Sequence, residues 1–335
     1  MKSIRTNTRL LCDGMKGQNY WLHGSMEYLM ECLGESKDYD YWFFSGVSGD
    51  SFTQVYSKDI NQDIICYTHN CFNTDIAKNM FDVCGYEFEY IDNINDENRN
   101  SYINNVKEYI DKNIPVLCRG GKGKYEFCII YGYENDNLYY LICDEIEPKI
   151  LPSDFNELIF VGNKKDRPTL PEAYKKAVMN IPSLIQMPAN DTFSFGKQAF
   201  IDWAVSFQND TFDDIDIEKI NIWNIHGVYL MISGTNGCSR GFLKKALELN
   251  PDMAFINTLE PIYAKHGDVF ETLAYRDLNG KNDYQNGGLQ GGFNIKADVI
   301  KNKELMKSIS NKIMESAQYC DEILEVFAKE EWRVK

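Results

Sequence analysis

The sequence predicts an α+β protein with two domains: an antiparallel sheet with an N-terminal helix over residues 1–165, and a mainly α-helical domain over residues 166–335. An apolar helical rhythm near the N-terminus, followed by short apolar runs between turn residues, predicts the first domain. Helical periodicity in most segments after residue 171 predicts the second. Helices and antiparallel strands in separate blocks are typical of α+β folds.

The first helix is predicted over about residues 22–33, because its apolar side chains recur every three or four positions. They are Leu22, Met26, Leu29, Met30 and Leu33. Gly34 is expected to end the helix as a C′ glycine. The polar loop before the helix leads into its N-terminus, where unpaired N–H groups favour an anion or an oxyanion.

The aromatic stretch 39–44 precedes residues 45–52, which their glycines predict to be a loop. This loop either brings the backbone close to a ligand or forms a tight turn beneath an aromatic cluster, and it lacks the lysine of a phosphate-binding P-loop. Helices are predicted next at 73–84, where Gly85 ends the helix, and at 100–112.

Short strands with apolar or alternating patterns complete the first domain, and turn residues at 134–137 predict a hairpin between the last two. The predicted strands are 86–91, 116–118, 127–131 and 138–143. Residues 166–171 are interpreted as a linker. The second domain is predicted to contain helices at 195–207, 239–249, 252–266 and 298–329, and an apolar segment at 223–232.

The composition excludes several classes of partner. A net charge of −15 and an isoelectric point near 4.8 argue against nucleic acid, which requires clustered Lys and Arg, and against an anionic membrane surface. No run reaches the roughly 18 apolar residues of a membrane span, and the N-terminus lacks the apolar core of a secretory signal. We therefore expect a cytoplasmic protein whose ten cysteines are reduced.

A metal site is not predicted. No Cys-x-x-Cys pair occurs, and the cluster of Cys66, His69 and Cys71 lacks the paired spacing of a four-ligand site. The sequence likewise indicates no cofactor.

Three segments together resemble a known family. They are the polar loop and helix at 18–34, the run PVLCRGGKGKYEFCIIYGYENDNLYYLICD at 115–144, and GTNGCSRGFLKKA at 234–246. In order and spacing they resemble the papain-like, C39-like fold of the butirosin-biosynthesis H protein N-terminal domain and the helical domain that often follows it. The resemblance implies a bacterial protein with a cysteine peptidase fold, sometimes used for acyl transfer onto an amine.

The chain departs from the family at two of three catalytic positions. In the family a Cys opens the first helix, a His stands six residues before a Gly-Tyr pair, and an Asp or Asn ends the next strand. Here the first position falls on Tyr20 or Trp21 and the second on Glu126, while Asp144 matches the third. A thiol activated by an imidazole cannot operate without both groups.

The candidate binding residues are therefore the degenerate catalytic positions and their neighbours: Gln18, Asn19, Tyr20, Trp21, His23, Glu126 and Asp144. Gln18 and Asn19 are candidates for hydrogen-bond donors where papain-like enzymes place an oxyanion-hole Gln. Tyr20 and Trp21 are either an aromatic wall or core packing, and His23 is either a site residue or simply packed.

The two carboxylates are the most informative candidates. Glu126 with Asp144 would form a pair that favours a cationic ligand or a shared proton; otherwise the first is a solvated residue and the second caps a turn. In the second domain, Arg240 either binds an anion or pins the two domains together, and the latter is favoured.

Three functional hypotheses remain open. The first is a catalytically degenerate papain-like protein that binds a small molecule or peptide in the former active-site cleft. The second is an active acyltransferase or amidase with an unrecognised nucleophile, such as a dyad of Cys32 or Cys128 with His23 or His69. The third is an interaction scaffold, with stretch 39–44 and the helical half as partner surface. Homo-oligomerisation is open in each case.

Overall fold

The computed structural model describes residues 1–4, 11–13, 18, 20–35, 38–59, 62, 64, 66–120, 127–142, 145–152, 155–209, 212, 216, 219, 237–277, 279, 281–282 and 297–330. These residues form an α+β fold, as the sequence predicts. The chain divides into two compact units. We name Met1–Ser48 with Cys71–Ala173 the sheet unit, and Gly49–Asn70 with Tyr174–Lys335 the helical unit. The two domains 1–165 and 166–335 stay a prediction.

The described residues of the sheet unit form seven strands and four helices. Its strands and helices are β1 (Lys2–Ser3), α1 (Trp21–Cys32), α2 (Tyr41–Ser48), α4 (Thr74–Cys84), β3 (Tyr86–Ile91), α5 (Arg99–Asp111), β4 (Val116–Arg119), β5 (Phe127–Glu134), β6 (Asn137–Ile142), β7 (Glu145–Ile150) and β8 (Glu157–Lys164). The intervening β2 (Val55–Ser57) lies in the helical unit, and α3 (Tyr67–Cys71) ends at the boundary between the units. The seven strands of the sheet unit form one sheet.

The seven-stranded sheet is antiparallel, with the order β3-β8-β4-β5-β6-β7 and β1 paired with β5. The hairpin between β5 and β6 turns at Asn135, whose φ of 54° fits the tight turn predicted at 134–137. Strands β7 and β8 were not predicted. Their segments carry charged residues among the apolar ones, so periodicity alone does not separate them from loops.

Helices α1 and α5 both contact β4 and β5. Every residue from Phe127 to Tyr131 is buried. Because side chains alternate between the two faces of a strand, both faces of the sheet are covered at this point. This explains why β5 is a continuous apolar run rather than an alternating one.

The prediction of a loop at 45–52 is wrong for its first half, because α2 runs to Ser48. Asp40 Oδ1 accepts the Phe43 N–H at 2.8 Å, which stabilises the start of the helix. Tyr39, Tyr41, Phe43 and Phe44 are all buried. Burial of this aromatic stretch outweighs the helix-breaking tendency of the glycines. The stretch therefore forms core, not the partner surface that the third hypothesis requires.

The helical unit contains β2 with its partner β9 (Phe193–Phe195), and a set of helices. The helices are α7 (Ile181–Ile185), α8 (Gly196–Ser206), α9 (Gly237–Leu249), α10 (Ile256–Tyr275), α11 (Ala297–Lys301) and α12 (Lys303–Glu330), while α6 (Leu170–Met179) spans the boundary between the units. Helix α10 continues through Pro261 well beyond the predicted end at 266. The apolar segment 223–232 lies outside the described residues.

Within the described part of the chain, no helix combines the length and apolar character needed to cross a membrane.

Candidate functional site

The N-terminus of α1 is built from buried aromatic side chains. Tyr20 is the extended N-cap residue, and its side chain is only 2% exposed. Its backbone N–H donates to the Tyr41 hydroxyl at 2.9 Å, which satisfies one of the amide groups that open the helix. Tyr20 is one of the two positions at which the family resemblance expects a thiol, and its ring is packed into the core.

His23 lies one turn further on and is completely buried. Its Nε2 is 3.1 Å from Ser48 Oγ, at the end of α2. Ser48 Oγ also donates to the Ser45 carbonyl at 3.2 Å. The rings of Tyr20 and Tyr41 meet the imidazole edge-on, with centroids 5.6 and 5.2 Å away. His23 is thus a core residue that joins α1 to α2.

The other predicted residues near α1 have different surroundings. Gln18 Oε1 accepts the Asp13 N–H at 2.8 Å, and the Gln18 N–H donates to the Asp13 carbonyl at 3.1 Å. The side-chain carbonyl of Gln18 is thus already hydrogen-bonded to Asp13. Trp21 is half-buried, and Asn19 lies outside the described residues.

Cys32 and Cys128 are the two cysteines considered above for a catalytic dyad. Cys32 ends α1, and at about 1.5 Å per residue it lies more than ten ångströms along the helix from His23. Cys128 is opposite Cys118 across β4 and β5, and both thiols are buried. Burial and the neighbouring Cys128 raise the pKa of the Cys118 thiol well above its usual value. A thiolate is therefore disfavoured at Cys118.

The expectation that all cysteines are reduced needs one correction. Seven described cysteines are free, but Cys12 is disulfide-bonded to a partner outside the described side chains. The Cys12 sulfur lies 3.3 Å from the Tyr20 carbonyl oxygen.

Glu126 and Asp144 lie outside the described residues. The strand ends beside them in sequence are described: β5 begins at Phe127 and β6 ends at Ile142. Ile129 pairs with Leu141, so these two strand ends lie at the same edge of the sheet. We name this edge, with the ends of β3, β4 and β8 that share it, the Arg119 edge.

The Arg119 edge holds a polar group that the sequence analysis missed. Arg119 ends β4 opposite Phe127 and Glu157. Its Nη1 donates to both Glu157 carboxylate oxygens, at 3.2 and 3.3 Å, and the Tyr90 hydroxyl donates to the same carboxylate at 2.6 Å. The Arg119 and Glu157 side chains are 21% and 16% exposed. The ion pair neutralises the Arg119 charge at this edge.

Aromatic rings flank this ion pair. The Arg119 guanidinium lies 5.6 Å from the centre of the Phe127 ring, and Phe72 meets Phe127 with centroids 4.7 Å apart. Phe72 also contacts the Tyr90 ring at 5.5 Å. Burial, and then the hydrogen bond to Glu157, raise the pKa of the Tyr90 phenol, so Tyr90 remains a protonated donor.

No motif or periodicity in the sequence indicates that Arg119, Glu157 and Tyr90 lie together. Arg119 stands between a short strand and a glycine-rich loop, but its partner Glu157 opens β8, which the sequence analysis did not predict. Tyr90 was placed only as part of an alternating strand.

No group of three or more His, Cys, Asp or Glu side chains suited to a metal ion occurs in the described ranges. Comparison with known proteins finds no matching family model and no matching curated protein.

Proposed function

We propose that this chain is a catalytically degenerate papain-like protein that binds an amine-bearing small molecule or peptide at the Arg119 edge. The observation that carries the proposal is the pairing of β5 with β6. In the sequence, Glu126 directly precedes β5 and Asp144 follows the end of β6 by two positions, so both carboxylates are close in sequence to the strand ends that share this edge. Two neighbouring carboxylates favour a cation between them.

The described side chains at the edge support a cationic ligand. Arg119 and Glu157 form an ion pair, so together these two side chains add no net charge to the edge. The half-buried Phe72 ring, which packs against the buried Phe127, supplies an aromatic surface, and an ammonium group is attracted to aromatic faces.

The loss of peptidase chemistry is supported by the groups that stand where the family has its dyad. The buried Tyr20 ring replaces a thiol, and Glu126 replaces the imidazole. A carboxylate at that position cannot form the thiolate–imidazolium pair of a cysteine peptidase, but it can bind an amine.

Isothermal titration calorimetry with benzylamine tests this function, and benzyl alcohol serves as the uncharged control ligand. We expect Glu126→Gln and Asp144→Asn each to weaken benzylamine binding at least tenfold. Glu134→Gln, at the other end of β5, is the matched control and should leave affinity unchanged. Equal binding of benzyl alcohol, or an equal loss in Glu134→Gln, would overturn the proposal.

A second candidate function rests on one contact. The His23–Ser48 distance of 3.1 Å is suitable for a base and a nucleophile. In an acyltransferase or amidase of this kind, Ser48 Oγ would attack an acyl carbon while His23 Nε2 takes the Ser48 proton. His23 would then give this proton to the departing amine or alcohol. A fluorophosphonate probe that labels the native protein and not Ser48→Ala would favour this function. Absence of labelling, or labelling that persists in Ser48→Ala, would exclude Ser48 as the nucleophile.

A further inference from the structure

The helical unit contains a surface pocket of about 470 Å³ between α9 and the start of α10. Its lining includes Arg240, Gly241, Lys244 and Leu247 from α9, and Ile256 and Glu260 from α10. None of these residues belongs to the Arg119 edge or to the cluster around His23.

The sequence of α9 explains which side chains face the pocket. Phe242, Leu243 and Ala246 are fully buried, and the Phe242 ring stacks on Tyr174 with centroids 4.4 Å apart. This contact fixes the rotation of the helix about its axis. Residues spaced by three and four positions lie on one helical face, so Arg240, Lys244 and Leu247 line the pocket together.

The described lining residues of the pocket carry an excess of positive charge. Arg240 Nε donates to Glu260 Oε1 at 2.5 Å, which joins the two helices. Lys244 is exposed and makes no hydrogen bond or ion pair with the described residues. Two cations and one carboxylate thus face one pocket, in a chain whose net charge is −15.

Gly241 keeps the space beside Arg240 open. A Cβ atom built at Gly241 would meet no atom within 4 Å. A side chain at this position would extend over the pocket, and glycine leaves that volume to a ligand. Leu247 and Ile256 add an apolar surface next to the charged groups.

We propose that this pocket binds a small organic anion. Arg240 and Lys244 hold its phosphate or carboxylate group, and its apolar part lies against Leu247 and Ile256. The planar guanidinium of Arg240 can donate to two anion oxygens in parallel, and Lys244 adds a point charge. Glu260 holds Arg240 in place through Nε and leaves the outer N–H groups of the guanidinium for the anion. The inference is independent of the function proposed for the sheet unit.

The test is a nuclear magnetic resonance titration of the full chain with phenyl phosphate, observed at the Arg240 Nε–Hε signal. Loss of one signal in Arg240→Lys assigns it. We expect a saturable shift of this signal with phenyl phosphate and none with the neutral analogue phenol. Benzoate distinguishes a carboxylate site from a phosphate site, and inorganic phosphate shows whether the apolar part contributes. No saturable shift with any of the three anions would overturn the inference.

Neighbouring lysines on α9 provide a matched control. Lys244 lines the pocket, whereas Lys245 pairs with Glu248 and does not. We expect Lys244→Ala to raise the phenyl phosphate Kd at least fivefold and Lys245→Ala to leave it within twofold. Gly241→Leu, which extends over the pocket, should abolish the shift while the other arginine signals keep their positions. Equal effects of the two lysine variants would show non-specific attraction and overturn the site.

Discussion

His23 Nε2 lies 3.1 Å from Ser48 Oγ, and both side chains are inside the core of the sheet unit. The contact links the first turn of α1 to the last turn of α2. A buried imidazole needs hydrogen-bond partners, because a polar group that loses its partner away from water is costly. The pair therefore stabilises the packing of the two helices.

Ser48→Ala should destabilise the protein by about 1–3 kcal/mol, because it removes a buried hydrogen bond and leaves the imidazole less well satisfied. Urea unfolding followed by circular dichroism measures this change. Ser308→Ala removes a solvent-exposed hydrogen bond from the serine hydroxyl to the Glu304 carbonyl, and it should stay within about 0.5 kcal/mol of the original protein. Similar losses in both variants would contradict a structural role for the His23–Ser48 contact.

His266 should make the stability depend on pH. It is buried in the helical unit among Phe200, Tyr263 and Tyr319, and burial lowers its pKa to about 3. Burial raises the pKa of the nearby Tyr263 hydroxyl and that of the Cys320 thiol, so both groups remain neutral. Below about pH 6.5 the unfolded chain binds a proton that the folded protein excludes, so the folded state loses stability as pH falls.

The contribution of His266 is full above about pH 6.5 and is lost by about 1.4 kcal/mol per pH unit down to about pH 3. His266→Phe removes the proton site and keeps a flat ring. We expect the difference in unfolding free energy between the original protein and this variant to change with pH at that slope. Parallel stability curves between pH 4 and pH 7 would show that the imidazole is not shielded from protonation.

Glu35 should also stabilise the folded protein less as the pH falls. The folded state favours the charged form of Glu35, whereas it favours the neutral form of His266. Hydrogen bonds from Lys164 and then from Tyr86 lower the pKa of its carboxyl, and Arg167 adds a charge at 3.2 Å. Its stabilisation is full above the unfolded pKa of about 4.5 and is lost as the pH falls through the lower folded value.

We therefore expect Glu35→Gln to cost about 1–3 kcal/mol at pH 7 and clearly less at pH 3. Chemical denaturation at the two pH values checks both statements. Glu108→Gln, an exposed carboxylate on α5, should change the unfolding free energy by less than about 0.5 kcal/mol. A cost that does not decrease in acid would contradict the assignment.

Gly241→Ala should stabilise the chain. The residue lies inside α9, and an added Cβ has free space around it. Alanine in a helix interior is favoured over glycine by about 0.5–1 kcal/mol. Thermal unfolding should show a raised midpoint, whereas Gly24→Ala should lower it, because a Cβ at Gly24 would clash with the Leu11 carbonyl.

Local signals in the sequence predicted much of the fold. Gly34 and Gly85 end their helices with φ values of 83° and 75°, a conformation that favours glycine. Asn73 caps α4 by accepting the N–H groups of Asp75 and Ile76. Such features depend on a few neighbouring residues, so they can be recognised in one sequence.

The candidate site could be predicted only in part, because its contacts join distant segments. The carboxylate of Glu157 lies beside Arg119, 38 positions earlier in the chain. Ser48 meets His23 across 25 positions, at the end of a helix that local propensity did not indicate. Neither partner follows from periodicity or spacing, since sheet order and helix packing decide which segments meet.

The most direct test of the proposed function is a diffraction experiment on crystals soaked with 4-bromobenzylamine, in which anomalous scattering locates the bromine. We expect a bromine peak against the half-buried Phe72 ring, with the ammonium group between Glu126 and Asp144. The soak must use a concentration that saturates binding in solution. A peak only elsewhere, or no peak at the Arg119 edge, would contradict the claim that this edge is an amine-binding site.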